Sequence, residues 1–435
     1  KLICHGFQYR IYIIRNYTKG AESMIFHVIS TRLKQYILDA AKPVTPLNAV
    51  PRRDCWSTLH KYGTRLWLDT GDIDQATTLW DGSFEALTTN NTLLNKEIQK
   101  GIYDALIGSV AAPVREIAAG KPDAVVQSIA FIVNAVHGLR LARQFNSRVS
   151  VELHTDLAHD AERSYMAARS LWSICPDRFI IKLPMTAAGL LAAKRLQDDG
   201  IPVNFTLGFS ARQNYLAARF SSPAYVNVFM GRLNAFVIDN QLGDGINVGE
   251  KAVLATQRQL QELRRNGGVR SQLIGASMRD AGQIAALCGI DVMTMPPKVA
   301  ENYMKSPPEI LSSRTGEDPE VTIKDPFVAK LWEVPAEFKK CVADFMAKEA
   351  ARTTAEDVEL FFRRHGCGDI FPAWEPEDIG MLLDDGKIPV FANWSHRLEN
   401  GDIGLDALMN MSALYSFISD QRALDSRIRG VIENK

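Results

Sequence analysis

Several protein classes are excluded by what this 435-residue chain lacks. Its six cysteines (Cys4, Cys55, Cys175, Cys288, Cys341 and Cys367) lie far apart and form no CxxC pair, which argues against a disulfide framework or a zinc site. They read as reduced thiols in a cytoplasmic setting. Net charge is missing too. With 50 basic side chains against 50 acidic ones, nothing global attracts nucleic acid or an anionic membrane, so anion recognition must come from locally placed arginines. Apolar runs such as Ile11 to Ile14 and Phe179 to Ile181 fall far short of the roughly 18 residues a membrane span needs. Neither an internal repeat nor a low-complexity segment is present.

What remains is a globular composition, 46% hydrophobic and 23% charged, long enough for one large or two to three medium domains. Charge is unevenly spread: the first 64 residues carry net +7 and the remainder −7. An acid-poor basic start is the composition of a targeting peptide, of a surface extension, or of residues upstream of a start near Met24.

From Arg65 onward, short β-branched and apolar runs alternate with helical stretches, the pattern of repeated βα units and a parallel sheet. Eight such runs are predicted: Arg65 to Asp69, Ala86 to Asn90, Val149 to Leu153, Arg178 to Pro184, Ile201 to Leu207, Ala224 to Met230, Ser271 to Ser277 and Asp291 to Pro297. Residues 65 to 304 number 240, close to the roughly 250 of an α/β fold of the closed (β/α)8 TIM-barrel type. A doubly wound open sheet is the alternative, although it normally needs fewer strands. The gap between runs two and three holds two helical patterns broken around Gly120-Lys121-Pro122, so an extra helix is expected there. Residues 1 to 64 then read as a basic N-terminal extension and 305 to 435 as a mostly helical C-terminal appendage. Within that appendage, Gly366 to Glu399 reads as irregular, and an amphipathic helix from about Gly404 to Ile432 packs on the barrel.

Functional groups of such barrels gather at the C-terminal strand ends. Those ends carry Asp69, Asn90, Glu152, Lys182, Thr206, Arg232, and Ser277 with Arg279. Lys182 interrupts the run Phe179-Ile180-Ile181-Lys182-Leu183-Pro184, where a central parallel strand should be continuously apolar. A strand-end lysine snorkelling to water is one reading. The other is a nucleophile, because desolvation and nearby cations lower a lysine toward about 7 to 8 and free the amine to attack a carbonyl. Glu152 and Asp69 suit proton transfer, or are salt-bridge partners. Thr206 could hold a water against Glu152, or fill a strand. Arg232, Ser277 and Arg279 can grip a phosphate through charge-assisted bonds, or are surface residues. His154 and His159 are five apart, off the i, i+4 spacing of a helical zinc motif, and no metal is expected.

On Leu68-Asp69-Thr70-Gly71-Asp72, Thr88-Thr89-Asn90, Ile181-Lys182-Leu183-Pro184, Ile201 to Leu207, Val228 to Leu233 and Gly275-Ala276-Ser277-Met278-Arg279, the stretch from Leu66 to Met304 resembles the transaldolases, class I Schiff-base aldolases on a (β/α)8 barrel. Asp420-Gln421 and Leu424 resemble that family's C-terminal helix. The resemblance implies that Lys182 forms the Schiff base, that Asp69 takes a substrate hydroxyl proton, and that Glu152 and Thr206 position a water. It also implies substrate binding by Asn90, Asn204, Asn227, Phe229, Arg232, Ser277 and Arg279. No cofactor is implied, the partners are sugar phosphates, and a homo-oligomer is left open. Three positions depart from the family: Asn91 stands for a usual proline, Asn227 for serine and His154 for aspartate. The expected reaction moves a dihydroxyacetone unit between sugar phosphates in the pentose phosphate pathway. A fructose-6-phosphate-type aldolase and a catalytically silent sugar-phosphate-binding scaffold are the alternatives; Glu152 and Phe229 favour transfer.

Overall fold

The computed structural model describes residues 31–42, 45–118, 121–310, 312–323, 325–348 and 353–433. The start near Met24, half of the basic segment and Gly120 lie outside the described residues. Eight parallel strands close on themselves in sequence order: β1 (Arg65–Asp69), β2 (Phe84–Thr88), β3 (Arg148–Glu152), β4 (Phe179–Pro184), β5 (Val203–Thr206), β6 (Tyr225–Phe229), β7 (Gln272–Ala276) and β8 (Val292–Met295), with β8 pairing back onto β1. The closed barrel excludes the open-sheet alternative. Every residue of β4, β5, β6 and β8 is buried, as expected for strands covered on both faces. Side chains that point inward meet across the barrel: Trp67 of β1 packs edge-on against Tyr225 of β6 at 4.8 Å, and Asn204 of β5 donates to Ser150 of β3 at 3.0 Å.

Strand ends differ from the expected ones for local reasons. β2 stops before Asn90 because the Asn90 carboxamide accepts from the Leu93 amide at 2.9 Å and caps the helix Asn91–Gln99. β8 stops at Met295 because Pro297 occupies the first position of the helix Pro297–Lys305, where a missing N–H costs nothing. Between β5 and β6 the regular ladder is a single pair, Asn204 with Tyr225. Contact there is completed beyond the strands, where Phe229 donates its amide to the Gly208 carbonyl at 2.9 Å. A Cβ on Gly208 would lie 2.2 Å from the Asn227 carbonyl oxygen, so only glycine permits that approach.

Three helices, Asn91–Gln99, Asp104–Ile117 and Pro122–Gln144, fill the gap between β2 and β3, one more than the sequence pattern suggests. Pro122–Gln144 is long and apolar enough to cross a membrane by length and composition, but 72% of its most apolar stretch is buried, against β3, neighbouring helices and the C-terminal helix. At the barrel's N-terminal end, Trp56 stacks on Tyr303 at 4.8 Å, so residues shortly before β1 already belong to the packed body.

The C-terminal region corrects two expectations. Gly366 to Glu399 is largely helical, with helices Pro376–Asp385 and Phe391–Glu399. A capping box between Glu375 and Asp378 starts the first, and the Asp385 carboxylate accepts from the Val390 amide at 3.0 Å and the indole N–H of buried Trp394 at 2.7 Å. The last helix, Leu405–Glu433, is buried on every side from Leu405 to Leu414 and one-sided only beyond, because the other appendage helices cover its start. That start is clamped to the helix Ala211–Phe220. Buried Arg212 binds Asp406 through two nitrogens at 2.8 and 2.7 Å and Asp369 at 2.9 Å. Burial alone would lower the guanidinium, yet the two carboxylates hold it above its ordinary value. Removing one partner of a buried ion pair costs about 3–5 kcal/mol. Asp406→Ala should lose about that much stability in urea unfolding, and a loss under about 1 kcal/mol would contradict the clamp.

Candidate active site

A cavity of about 1080 Å3 opens at the C-terminal ends of the strands. Of the residues singled out in the sequence, Asp69, Asn90, Lys182, Asn204, Asn227, Phe229, Arg232, Ser277 and Arg279 line it. Glu152 and Thr206 do not reach the wall and are buried behind it.

Lys182 is 3% exposed, so the snorkelling alternative fails. Strand register places Glu152 of β3 and Asn204 of β5 on either side of it. The Lys182 Nζ lies 3.5 Å from the Glu152 Oε2 and donates to the Thr89 carbonyl at 3.2 Å. Burial pushes the Glu152 carboxyl up to about 7, against the lowering pull of Lys182. Burial likewise raises Asp69, with Lys182 and a 2.5 Å hydrogen bond from the Thr88 hydroxyl opposing it. Around this centre the buried Thr89, Thr206 and Asn204 side-chain oxygens have no hydrogen-bond partner within the protein, acceptors and donors that a polar substrate or water would satisfy.

Two carboxamides are partly spent on the fold. The carbonyl oxygen of Asn90 caps a helix, and that of Asn227 accepts from the Gly208 amide at 3.2 Å, which leaves each its NH2. Phe229 meets Phe209 edge-on at 5.8 Å, which fixes its ring beside the cavity.

Farther along the wall stand the cations. Arg232 is 8% exposed, and burial together with the neighbouring Arg279 charge lowers it to about 10, against the pull of Asp420. No carboxylate among the described residues lies within ion-pair distance of it; it donates to the Lys387 carbonyl at 3.4 Å and sits 5.9 Å from the Phe417 ring. Two neighbouring cations without a buried counter-ion are stabilised by a bound dianion. Ser277 holds a left-handed backbone (φ 64°) and packs its carbonyl where a Cβ on Gly231 would fall, 2.1 Å away. Gly231 therefore sets the distance between the Arg232 helix and the loop carrying Ser277 and Arg279.

Sequence reasoning gave no role to Thr88, whose hydroxyl donates to Asp69, or to Thr294, whose hydroxyl lies 2.8 Å from that of Thr88; both read as interior strand residues, so only the Thr88-Thr89-Asn90 motif carried a signal. It also missed Lys96, Lys387 and Phe417 on the cavity wall. Nothing local marks the last two, which come from the appendage.

A closed (β/α)8 barrel with a buried lysine–carboxyl pair and an anion-receptive end defines a barrel enzyme for small anionic substrates. The sequence profile of the Transaldolase/Fructose-6-phosphate aldolase family matches residues 66–362. Proteins named transaldolase are similar: that of Xanthomonas euvesicatoria pv. vesicatoria is 32% identical over 54% of this chain and 73% of its own length, and that of Allorhizobium ampelinum 31% over 61% and 83%. The transaldolase of Rhizobium leguminosarum bv. trifolii is 29% identical over 60% and 83%. The chain belongs to the transaldolase/fructose-6-phosphate aldolase family.

The geometry makes Gly231 a test of the anion end. Gly231→Ala should weaken inorganic phosphate binding about tenfold or more, the loss of one charge-assisted hydrogen bond, with the circular dichroism spectrum unchanged. Unaltered phosphate affinity by calorimetry would show that the Ser277–Arg279 loop does not hold the anion.

Proposed function

We propose that this family member is a transaldolase that carries a dihydroxyacetone unit from a ketose phosphate, such as fructose 6-phosphate or sedoheptulose 7-phosphate, to an aldose phosphate, such as erythrose 4-phosphate or glyceraldehyde 3-phosphate. One observation carries the reading: a lysine buried beside the cavity, 3.5 Å from a carboxyl whose pKa is near 7. Glu152 accepts the ammonium proton, and the Lys182 amine adds to the ketose carbonyl. Water leaves as Glu152, through a water shared with Thr206, returns a proton, giving a protonated imine. Asp69 removes the proton of the hydroxyl beyond the scissile bond, the carbon–carbon bond breaks into the imine, and the aldose phosphate departs. The three-carbon enamine stays on Lys182 until an acceptor aldehyde adds and the steps reverse. The amides of Asn90, Asn204 and Asn227 hold the dihydroxyacetone hydroxyls, Phe229 bounds the pocket, and Arg232, Ser277 and Arg279 hold the phosphate.

The proposal keeps the division into an N-terminal extension to residue 64, a barrel over 65–304 and an appendage over 305–435. It places the enzyme in the cytoplasm, with the free thiols Cys55, Cys175, Cys288, Cys341 and Cys367 in support, and allows a homo-oligomer.

With fructose 6-phosphate and erythrose 4-phosphate, sedoheptulose 7-phosphate should form, and Lys182→Met should lower kcat at least about a thousandfold. Free dihydroxyacetone released faster than transfer would favour the aldolase alternative, and tight binding without turnover the scaffold. Because Glu152 must be ionised to accept the proton, kcat should fall as pH drops through about 7, a limb that Glu152→Gln abolishes.

A further inference from the structure

Behind Glu152, away from the main cavity, the end of β3, the turn after it and four helices enclose a second space of about 20 Å3, room for one water molecule. Its wall includes Asn91, Asn134, Glu152, His154 and Gln421. A directed chain of hydrogen bonds runs along it. Asn91 Nδ2 donates to Gln421 Oε1 at 2.6 Å, and Gln421 Nε2 donates to Asp425 Oδ1 at 2.9 Å. His154 Nδ1 accepts from the Asp156 amide at 3.2 Å, so its proton sits on Nε2, which donates to Asp425 Oδ2 at 3.2 Å. The same groups grip the main chain of the β3 end: Asn134 donates to the Glu152 carbonyl at 2.8 Å and Asn91 to that of Leu153 at 3.3 Å.

The residues at both ends of this chain match their partners on the last helix. Proline at 91 would remove the donor to Gln421, and aspartate at 154 would set a second carboxylate against Asp425. Asn91 and His154 each bond to the C-terminal helix.

We propose that Asn91, Gln421, Asp425 and His154 act together as a positioning network for Glu152, pinning the C-terminal helix over the end of β3 and sealing the carboxyl from bulk water. The inference rests on the transaldolase reading for its catalytic meaning, but the geometry of the seal does not. The charges that act on Glu152 are Lys182 from β4 and Asp69 from β1, with the titratable Asp425 of the last helix and His154 and Asp156 of the turn after β3 farther out. Burial outweighs both charges in setting its proton affinity. Opening the seal therefore acts on Glu152 first.

Infrared titration of the full-length protein without substrate tests this, with the Glu152 band assigned by its loss in Glu152→Gln. Asp425→Ala should move the Glu152 midpoint down by about one pH unit or more as water enters. Gln421→Met, which breaks both of its links at similar volume, should do the same. His154→Gln retains a donor toward Asp425 and should leave the midpoint near the wild-type value. In turnover, the acid limb of kcat should shift with the midpoint while KM for fructose 6-phosphate stays within about twofold. A midpoint unmoved in folded Asp425→Ala and Gln421→Met, or a uniform fall in kcat with the limb in place, would overturn the proposal. Because the titration needs no turnover, a wild-type protein without transferase activity would sink the functional reading and leave the network's test intact.

Discussion

A lysine and a glutamate taken out of water together, 3.5 Å apart, are what this structure is built around. Each ion alone would cost several kcal/mol to bury, and their attraction offsets this only where the surroundings are fixed and further polar groups are at hand. The closed barrel supplies the first condition, since adjacent strands hold Glu152 and Lys182 in register and neither strand has a free edge. Thr89, Asn204, Ser150 and Thr206 supply the second. The same burial that makes the pair costly brings Glu152 to about 7, where one carboxyl can both give and take a proton at neutral pH.

The anion end obeys a related constraint. Arg232 lies close to Arg279 and outside ion-pair distance of every carboxylate among the described residues, an arrangement that a bound anion would relieve. Glycine at 231 permits the necessary approach of the Ser277 main chain. The appendage takes part as well: Lys387 and Phe417 reach the cavity wall, and the Arg212–Asp406–Asp369 clamp fixes the helix that carries Phe417. Residues beyond the barrel thus bound the cavity, and are more than covering for its outer surface.

Most of the barrel was legible because strands buried on both faces leave uninterrupted apolar runs, and a charge inside one of them, Lys182, stands out. Strand ends were less so. Asn90 looks like a strand residue until its role as a helix cap is seen, and Pro296-Pro297 ends β8 earlier than the apolar pattern does. Gly366 to Glu399 read as irregular since its prolines and tryptophans obscure two short helices held by carboxylate caps at Glu375 and Asp385. At the site, nine of the eleven singled-out residues line the cavity, while Glu152 and Thr206 stand behind it, a depth that strand parity alone cannot give. Asp425, Lys387 and Phe417 depend on contacts spanning well over a hundred residues, for which one sequence holds no local signal.

The proposed reaction stands or falls on Lys182 as the covalent centre. Borohydride trapping in the presence of fructose 6-phosphate, followed by peptide mass spectrometry, addresses it directly. One reduced three-carbon adduct is expected, on the peptide containing Lys182. An adduct on another lysine, or none on a folded protein that binds the sugar phosphate, would contradict it.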